Sequence, residues 1–170
     1  MQRKYFYLLS ITVLILIFDQ ITKIYVHTHF SLGESYNIIP NYFDFTYVRN
    51  YGAAWGVLRD SNEVFRKIFF LSIPPIAVGF IIYMLRSVAN SDRFQIIALS
   101  LISAGALGNY IDRIRFSYVI DFIDVHIKRI YSYPVFNIAD CAIVIGVMMM
   151  LYYIVFLEEK VKNKQLQELK

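Results

Sequence analysis

Four long uncharged stretches dominate the chain. The first occupies positions 5–18 and continues through Asp19 and Lys23 to about Val26. The second is 68–85, between Lys67 and Arg86; the third is 94–111, between Arg93 and Asp112; the fourth is 141–157, between Asp140 and Glu158. Each is close to the ~20 residues that carry a helix across ~30 Å of hydrocarbon. Backbone groups in lipid must bond within their own segment, which favours helices. The pattern predicts four membrane-crossing helices, over approximately 5–26, 67–86, 94–112 and 139–158, within a single integral membrane domain, 1–170.

With four crossings, the two long connections, about 26–67 and 112–140, share one side of the membrane. The termini and the short connection 86–93 share the other. Within the first long connection, 43–48 alternates aromatic with smaller residues, and 118–123 in the second is rich in β-formers. A small sheet at the membrane surface is expected. Of the 17 Lys and Arg, eight fall on the terminal side and nine on the long-connection side. The terminal-side segments are much shorter, so their positive density is higher, and this favours termini in the cytoplasm.

Composition sharpens this picture. Hydrophobic residues make up 58% and charged residues 18%, against about a quarter charged in soluble domains. The net charge of +4 suits topology and anionic headgroups, and no basic stripe on a soluble module points to nucleic acid. Cys141 is the single cysteine, which excludes an internal disulfide or a paired-cysteine metal site. The first apolar run follows Arg3 and Lys4 as a signal peptide would. It ends in Asp19-Gln20-Ile21-Thr22-Lys23 with no small-x-small cleavage site, so a retained helix is expected. Ser100, Ala104 and Gly108 form a small-residue face for close helix packing. Pro74-Pro75 is expected to kink the second helix. Trp55 and the tyrosines suit an aromatic belt at headgroup level.

Polar residues at membrane depth are costly and need a reason. Asp19 and Lys23, at i and i+4, fall on one helical face. They suit a salt bridge near a helix end with Lys23 snorkelling outward, or a direct part in chemistry. Asp121 and Asp140, 19 positions apart, flank the second long connection and can meet at the mouth of the bundle. Two carboxylates in a desolvated site repel, so one holds a proton while the other stays ionised. Such a pair can activate water and protonate a carbonyl, which is peptide hydrolysis without a covalent intermediate. The alternative is that these aspartates cap helices or pair with Arg113, Arg115, Lys128 or Arg129. A proton- or ion-coupled transporter with Asp19, Asp121 and Asp140 as relay is a second functional reading, and a non-catalytic scaffold a third. His27, His29 and His126 are the only histidines. Without an HExxH they suit surface or interfacial positions, so no metal site and no cofactor is expected.

Four motifs together resemble the lipoprotein signal peptidases (signal peptidase II) over nearly the whole chain. They are Asp19-Gln20-Ile21-Thr22-Lys23; Arg49-Asn50-Tyr51-Gly52-Ala53-Ala54-Trp55-Gly56; Gly108-Asn109-Tyr110-Ile111-Asp112-Arg113 followed by Val119-Ile120-Asp121-Phe122; and Phe136-Asn137-Ile138-Ala139-Asp140 with Ile143. The resemblance implies an all-α membrane protein, a four-transmembrane-helix bundle with a small extracytoplasmic β-cradle. It implies an aspartic endopeptidase of the bacterial inner membrane that cuts diacylglyceryl-modified prolipoproteins just before the lipidated cysteine. Asp121 and Asp140 correspond to the catalytic aspartates. Asp19, Lys23, Asn50, Asn109, Arg113 and Asn137 correspond to residues that line or support the site. The implied partners are lipid-modified prolipoproteins, membrane lipids and the inhibitor globomycin. On this reading Asn50, Asn109 and Asn137 offer amides to an extended substrate backbone, and Arg113 can orient a carboxylate or a carbonyl.

Two positions remain open at this level. Ser117 stands where many relatives have glycine, so a left-handed turn there carries modest strain. Asp124 lies three residues from Asp121, and only the resemblance selects Asp121 as the one facing the site.

Overall fold

The computed structural model describes residues 3–53, 57–58 and 60–157. Trp55, expected in an aromatic belt, lies outside the described residues. Helix α1 is Arg3–His29, α2 Glu63–Ser87, α3 Arg93–Phe116 and α4 Ile138–Tyr152, which runs on as a π-helical turn over Tyr153–Leu157. All four are long and apolar enough to cross a membrane. α1 continues past Val26 to His29, and α3 past Asp112 to Phe116. Asp112 and Arg113 find partners in neighbouring elements and do not end α3.

The helix ends carry their own signals. Asn62 caps α2, accepting from the N–H groups of Val64 and Phe65 at 2.9 and 3.3 Å. Asp92 caps α3 through the N–H of Gln95 at 3.1 Å. Such oxygens satisfy donors that a first helical turn leaves unpaired. α3 ends at Ser117, which adopts φ 64°, ψ 11°, the left-handed conformation that a glycine would take without strain. α2 passes through Pro74 and Pro75 as one helix. Lys4 is buried, and its Nζ donates to the carbonyls of Arg86 and Val88, both at 2.9 Å. One ammonium thus fastens the start of α1 to the carbonyl end of α2.

α3 is the central helix. It packs against α1, α2 and α4. Its small face is what allows this, since Ser100, Ala104 and Gly108 are all buried. A Cβ on Gly108 would come within 2.6 Å of Asp19 Oδ2. One on Gly105 would collide with the backbone carbonyl of Ala139. The outward faces of the other helices stay apolar, as at Phe6, Ile21, Ile76 and Val155, which is the surface a lipid-embedded helix presents. The protein is a multi-pass membrane protein.

Beyond the helix ends lies an antiparallel sheet in the order β1-β2-β3-β4. Its strands are β1 Ser35–Ile39, β2 Phe43–Asn50, β3 Val119–Ile127 and β4 Tyr131–Ser132. The two strands expected from the sequence are β2 and β3; β1 and β4 extend the sheet on either edge. A buried cluster of Val26, Tyr47, Tyr118, Ile120 and Phe122 joins the sheet to α1. The architecture is the expected four-helix bundle with a small sheet.

Candidate active site

β3 starts two residues after the left-handed cap of α3, so the chain turns directly from helix into sheet. Successive strand residues point to opposite faces. Asp121 and Asp124, three apart, therefore face opposite ways, and Asp121 is the one turned to Asn137 at the start of α4. Asp124 meets Thr46 on β2 at 3.0 Å. A register irregularity between Phe45 and Val48 brings Val48 opposite Asp121 and Asn50 opposite Val119.

Asp140 enters from the other side, at the amino end of α4. Asn137 caps this helix: its Oδ1 accepts the N–H of Asp140 at 2.9 Å, and Asp140 Oδ2 accepts the N–H of Asn137 at 3.2 Å. The helix-capping role foreseen for these aspartates therefore holds for Asp140. It does not use up the residue, because Asp140 Oδ1 also receives Asn109 Nδ2 at 2.7 Å.

Two asparagines, Asn137 and Asn109, tie the two carboxylates together, and a third, Asn50, holds Asp121 alone. Asn137 Nδ2 donates to Asp121 Oδ1 at 2.6 Å and lies 3.2 Å from Asn109 Oδ1. Asn50 Nδ2 donates to Asp121 Oδ2 at 3.0 Å, while its Oδ1 accepts the N–H of Gly52 at 2.9 Å. These amides face the aspartates, and Asn137 is fully buried. The Asn137 side chain is engaged with both Asp121 and Asp140.

Asp121 is 1% exposed. Burial pushes its carboxyl up to about 7, helped by the nearby charge of Asp140 and opposed by the amides of Asn50 and Asn137. At neutral pH this group is poised between its protonated and ionised forms.

Asp19 and Lys23 lie behind this layer. Lys23 Nζ reaches Asp19 Oδ2 at 2.9 Å, Asp112 Oδ2 at 3.0 Å and Asn109 Oδ1 at 2.9 Å. The expected snorkelling is wrong: Lys23 is fully buried. Two carboxylates on two helices hold its ammonium inward, and their combined charge outweighs the pull of water at the helix end. Lys23 bonds to Asn109, whose amide it orients toward Asp140, and its charge also acts on Asp121. Asp112 was missed as its second counter-ion. The signal was available, because Asn109 and Asp112 share a face of α3 at i and i+3. Asp112 Oδ2 also accepts the N–H of Ile120 at 3.1 Å, fixing the start of β3.

A cavity of about 700 Å³ opens in front of the aspartates. Asn50, Asn109, Arg113, Asp121 and Asp140 line its polar end, and Phe69, Ile73, Ala77, Ile143 and Val144 its apolar end between the helices. Arg113 stacks over Phe70, with Cζ 4.4 Å from the ring centroid, and donates to the carbonyl of Gly52 at 3.1 Å. It orients a carbonyl, though one of its own chain. The histidines separate: His29 is exposed and His27 half-buried, but His126 is buried. The surface or interfacial reading fails for His126, which strand alternation turns to the same side as Asp124.

A family described as signal peptidase (SPase) II matches residues 11–156. A protein of Syntrophus aciditrophicus (strain SB) named lipoprotein signal peptidase is 49% identical over 151 residues, or 89% of this chain and 91% of the relative. A lipoprotein signal peptidase of Staphylococcus aureus (strain JH9) is 40% identical over 172 residues, the full length of both. A solved structure of a bacterial membrane enzyme superposes with a TM-score of 0.78 at 38% identity, covering 90% of this chain and 88% of the other. A transporter finds no support in these likenesses.

Proposed function

The chain belongs to the signal peptidase II family and removes signal peptides from prolipoproteins, and from that premise we propose that it does so as an aspartic endopeptidase with Asp121 and Asp140 as its catalytic pair. The observation that carries this reading is one shared cavity: both carboxylates line its polar end, and Asn137 bonds to both residues. Asp140 sits at the positive end of the α4 dipole, where a negative charge is favoured. It takes a proton from the attacking water. Asp121, with its raised affinity for a proton, protonates the scissile carbonyl oxygen. The tetrahedral intermediate then collapses as a proton passes to the leaving amine, and no covalent enzyme intermediate forms.

The cavity also suits the finer substrate class. Its apolar end runs down between α2, α3 and α4, where acyl chains are at home, while its polar end meets the peptide. A cysteine carrying diacylglycerol anchors the cleavage site at this depth, and the cut falls just before that cysteine. Asn50, Asn109 and Arg113 hold the geometry of the polar end, with Asn137, Asp19 and Lys23 behind them. Globomycin, the inhibitor that the family resemblance implies, is expected to bind in the same cavity. The enzyme resides in the bacterial inner membrane as one peptidase domain, with both termini in the cytoplasm and the aspartates near the extracytoplasmic face.

The test is incubation of the purified protein with a lipidated prolipoprotein and its unlipidated form, followed on a gel. Cleavage of the lipidated form alone is expected. Equal cleavage of both removes the lipid requirement, and full activity of Asp121→Asn removes the aspartic mechanism.

A further inference from the structure

The sheet carries a second polar cluster on the side away from Asp121. Asp44 on β2 and Asp124 on β3 stand directly opposite each other in the strand register. His126 follows two residues after Asp124 and so shares its face. Asp44 is fully buried, and Asp124 and His126 are 8% and 4% exposed. Like charges directly opposed across a strand pair repel, and burial makes the arrangement costlier. Something cationic belongs there.

The oxygens are arranged for it. Asn37 Nδ2 donates to Asp44 Oδ1 at 2.6 Å, and Thr46 Oγ1 to Asp124 Oδ2 at 3.0 Å. Neutral donors thus hold one oxygen of each carboxylate, and Ser132 Oγ makes a longer contact, at 3.5 Å, with Asp124 Oδ1. The other oxygens turn to the imidazole: Asp44 Oδ2 is 4.0 Å from His126 Nε2, and Asp124 Oδ1 is 3.5 Å from Nδ1. Both separations exceed ordinary hydrogen bonds but lie within ion-pair distance, so the buried ring sits between two carboxylates with one nitrogen facing each. One donor atom from each residue can be chosen with all three within 4.8 Å of one another. Ligands ~2.1 Å from a tetrahedral zinc stand about 3.5 Å apart, so the two carboxylates and one ring nitrogen draw together around the ion as it binds. Arg129 supplies a counter-charge, with Nη2 2.6 Å from Asp44 Oδ2, but its side chain is 68% exposed. It can swing into solvent by giving up its bond to Asp44.

We propose that Asp44, Asp124 and His126 form a binding site for a borderline divalent transition metal ion, zinc by ligand type, that staples β2 to β3, with Arg129 as its exchangeable counter-ion. One imidazole and two carboxylates are ligands zinc takes readily, with a fourth position open to water. The amide of Asn37 and the hydroxyl of Thr46 serve as outer partners that orient ligating carboxylates. The ion is structural, because strand alternation puts it on the opposite face of β3 from Asp121.

The test uses the untagged full-length protein in detergent, stripped with chelator and titrated with zinc chloride by calorimetry. One zinc per chain is expected, with a thermal midpoint that rises as zinc is added. Asp124→Asn and His126→Gln should each weaken binding about tenfold or more. Arg129→Gln should strengthen it, and because that side chain is exposed this variant reports even if the others fold poorly. His29→Gln, at an exposed histidine, should bind as the wild type does. No zinc binding by the wild type overturns the proposal. So does binding that survives both ligand variants, binding lost in His29→Gln, or affinity unchanged or weakened in Arg129→Gln.

Discussion

Asp19 Oδ1 accepts a hydrogen bond at 2.8 Å from the backbone N–H of Ala139, 120 residues further along the chain. A side chain of α1 thereby satisfies a donor that the first turn of α4 leaves open. The other oxygen of Asp19 meets Lys23, and Lys23 meets Asp112 on α3. One buried ammonium joins α1 to α3 just behind the candidate dyad, and the Asp19 carboxylate adds α4.

Removing that ammonium strands two buried carboxylates. Loss of one partner from a buried ionic cluster costs about 3–5 kcal/mol. Lys23→Ala is expected to lower the yield of monodisperse protein and its thermal midpoint sharply, and turnover per folded molecule less. Size-exclusion chromatography beside the cleavage assay separates the two. A stable, monodisperse Lys23→Ala protein with no turnover would assign Lys23 to the chemistry itself.

Gly108→Ala should act through the same layer. Its new Cβ would lie 2.6 Å from Asp19 Oδ2 and 3.1 Å from the Cβ of Ala139, and overpacking of this kind costs about 1–3 kcal/mol. Gly79→Ala meets nothing within 4 Å and should leave stability unchanged or slightly raised. Thermal denaturation of the pair checks both, and equal midpoints would contradict the close packing of α1 on α3.

Asp121→Asn and Asp140→Asn should each fold, bind lipidated substrate and cleave it orders of magnitude more slowly. Asparagine at 140 keeps an oxygen for the α4 cap. Groups that act as a unit are non-additive, so the double variant should be little worse than either single one. Asp60→Asn, at an exposed position, should cleave normally. Asp112→Asn is no neutral control, because that carboxylate holds Lys23, Gln20 and the N–H of Ile120.

The pH dependence follows from Asp121. Burial first and Asp140 second raise its carboxyl from an ordinary 3.8 to about 7. If its proton is needed, kcat/KM falls as pH rises through about 7, with a midpoint that belongs to the pair rather than to either residue. Folding stability carries the same sign. The folded protein holds this proton more tightly, so the contribution of Asp121 is present at low pH and is lost as pH rises from 3.8 toward about 7. Asn50→Ala removes a donor to the ionised form and should move the descending limb to higher pH. A rate–pH profile with no such limb would take the proton away from Asp121.

Orientation is tested with a reporter fused after Lys170 that is active only outside the cytoplasm. Silence is expected. A signal there would put the candidate dyad on the cytoplasmic face, away from exported prolipoproteins.

The helices were legible because lipid imposes a length and an apolar run that no soluble core demands. The strands were half legible. β2 and β3 carry apolar alternation because one face packs on α1. β1 is exposed throughout and β4 has two residues, so neither had a buried face to leave a pattern. Asp19 and Lys23 were legible as a pair, since i and i+4 is a local rule. Their burial was not. It depends on Asp112, Asn109 and Ala139, which local spacing cannot bring to them. Asp44 went unremarked for the same reason: its partners Asp124 and Arg129 are on another segment.

The central position of α3 also bears on how the molecule is made. A membrane chain is threaded in from its amino end, so α3 reaches the bilayer with α1 and α2 beside it and α4 still unsynthesised. Until then the notch at Gly105 has only acyl chains to fill it, and Asp19 has no Ala139 to cap. Arrival of α4 closes the seam and delivers Asp140 to Asp121 in the same movement. Biogenesis therefore ends with the event that assembles the candidate dyad, and a nascent chain halted before Asn137 is an unfinished three-helix intermediate that holds one aspartate of the pair.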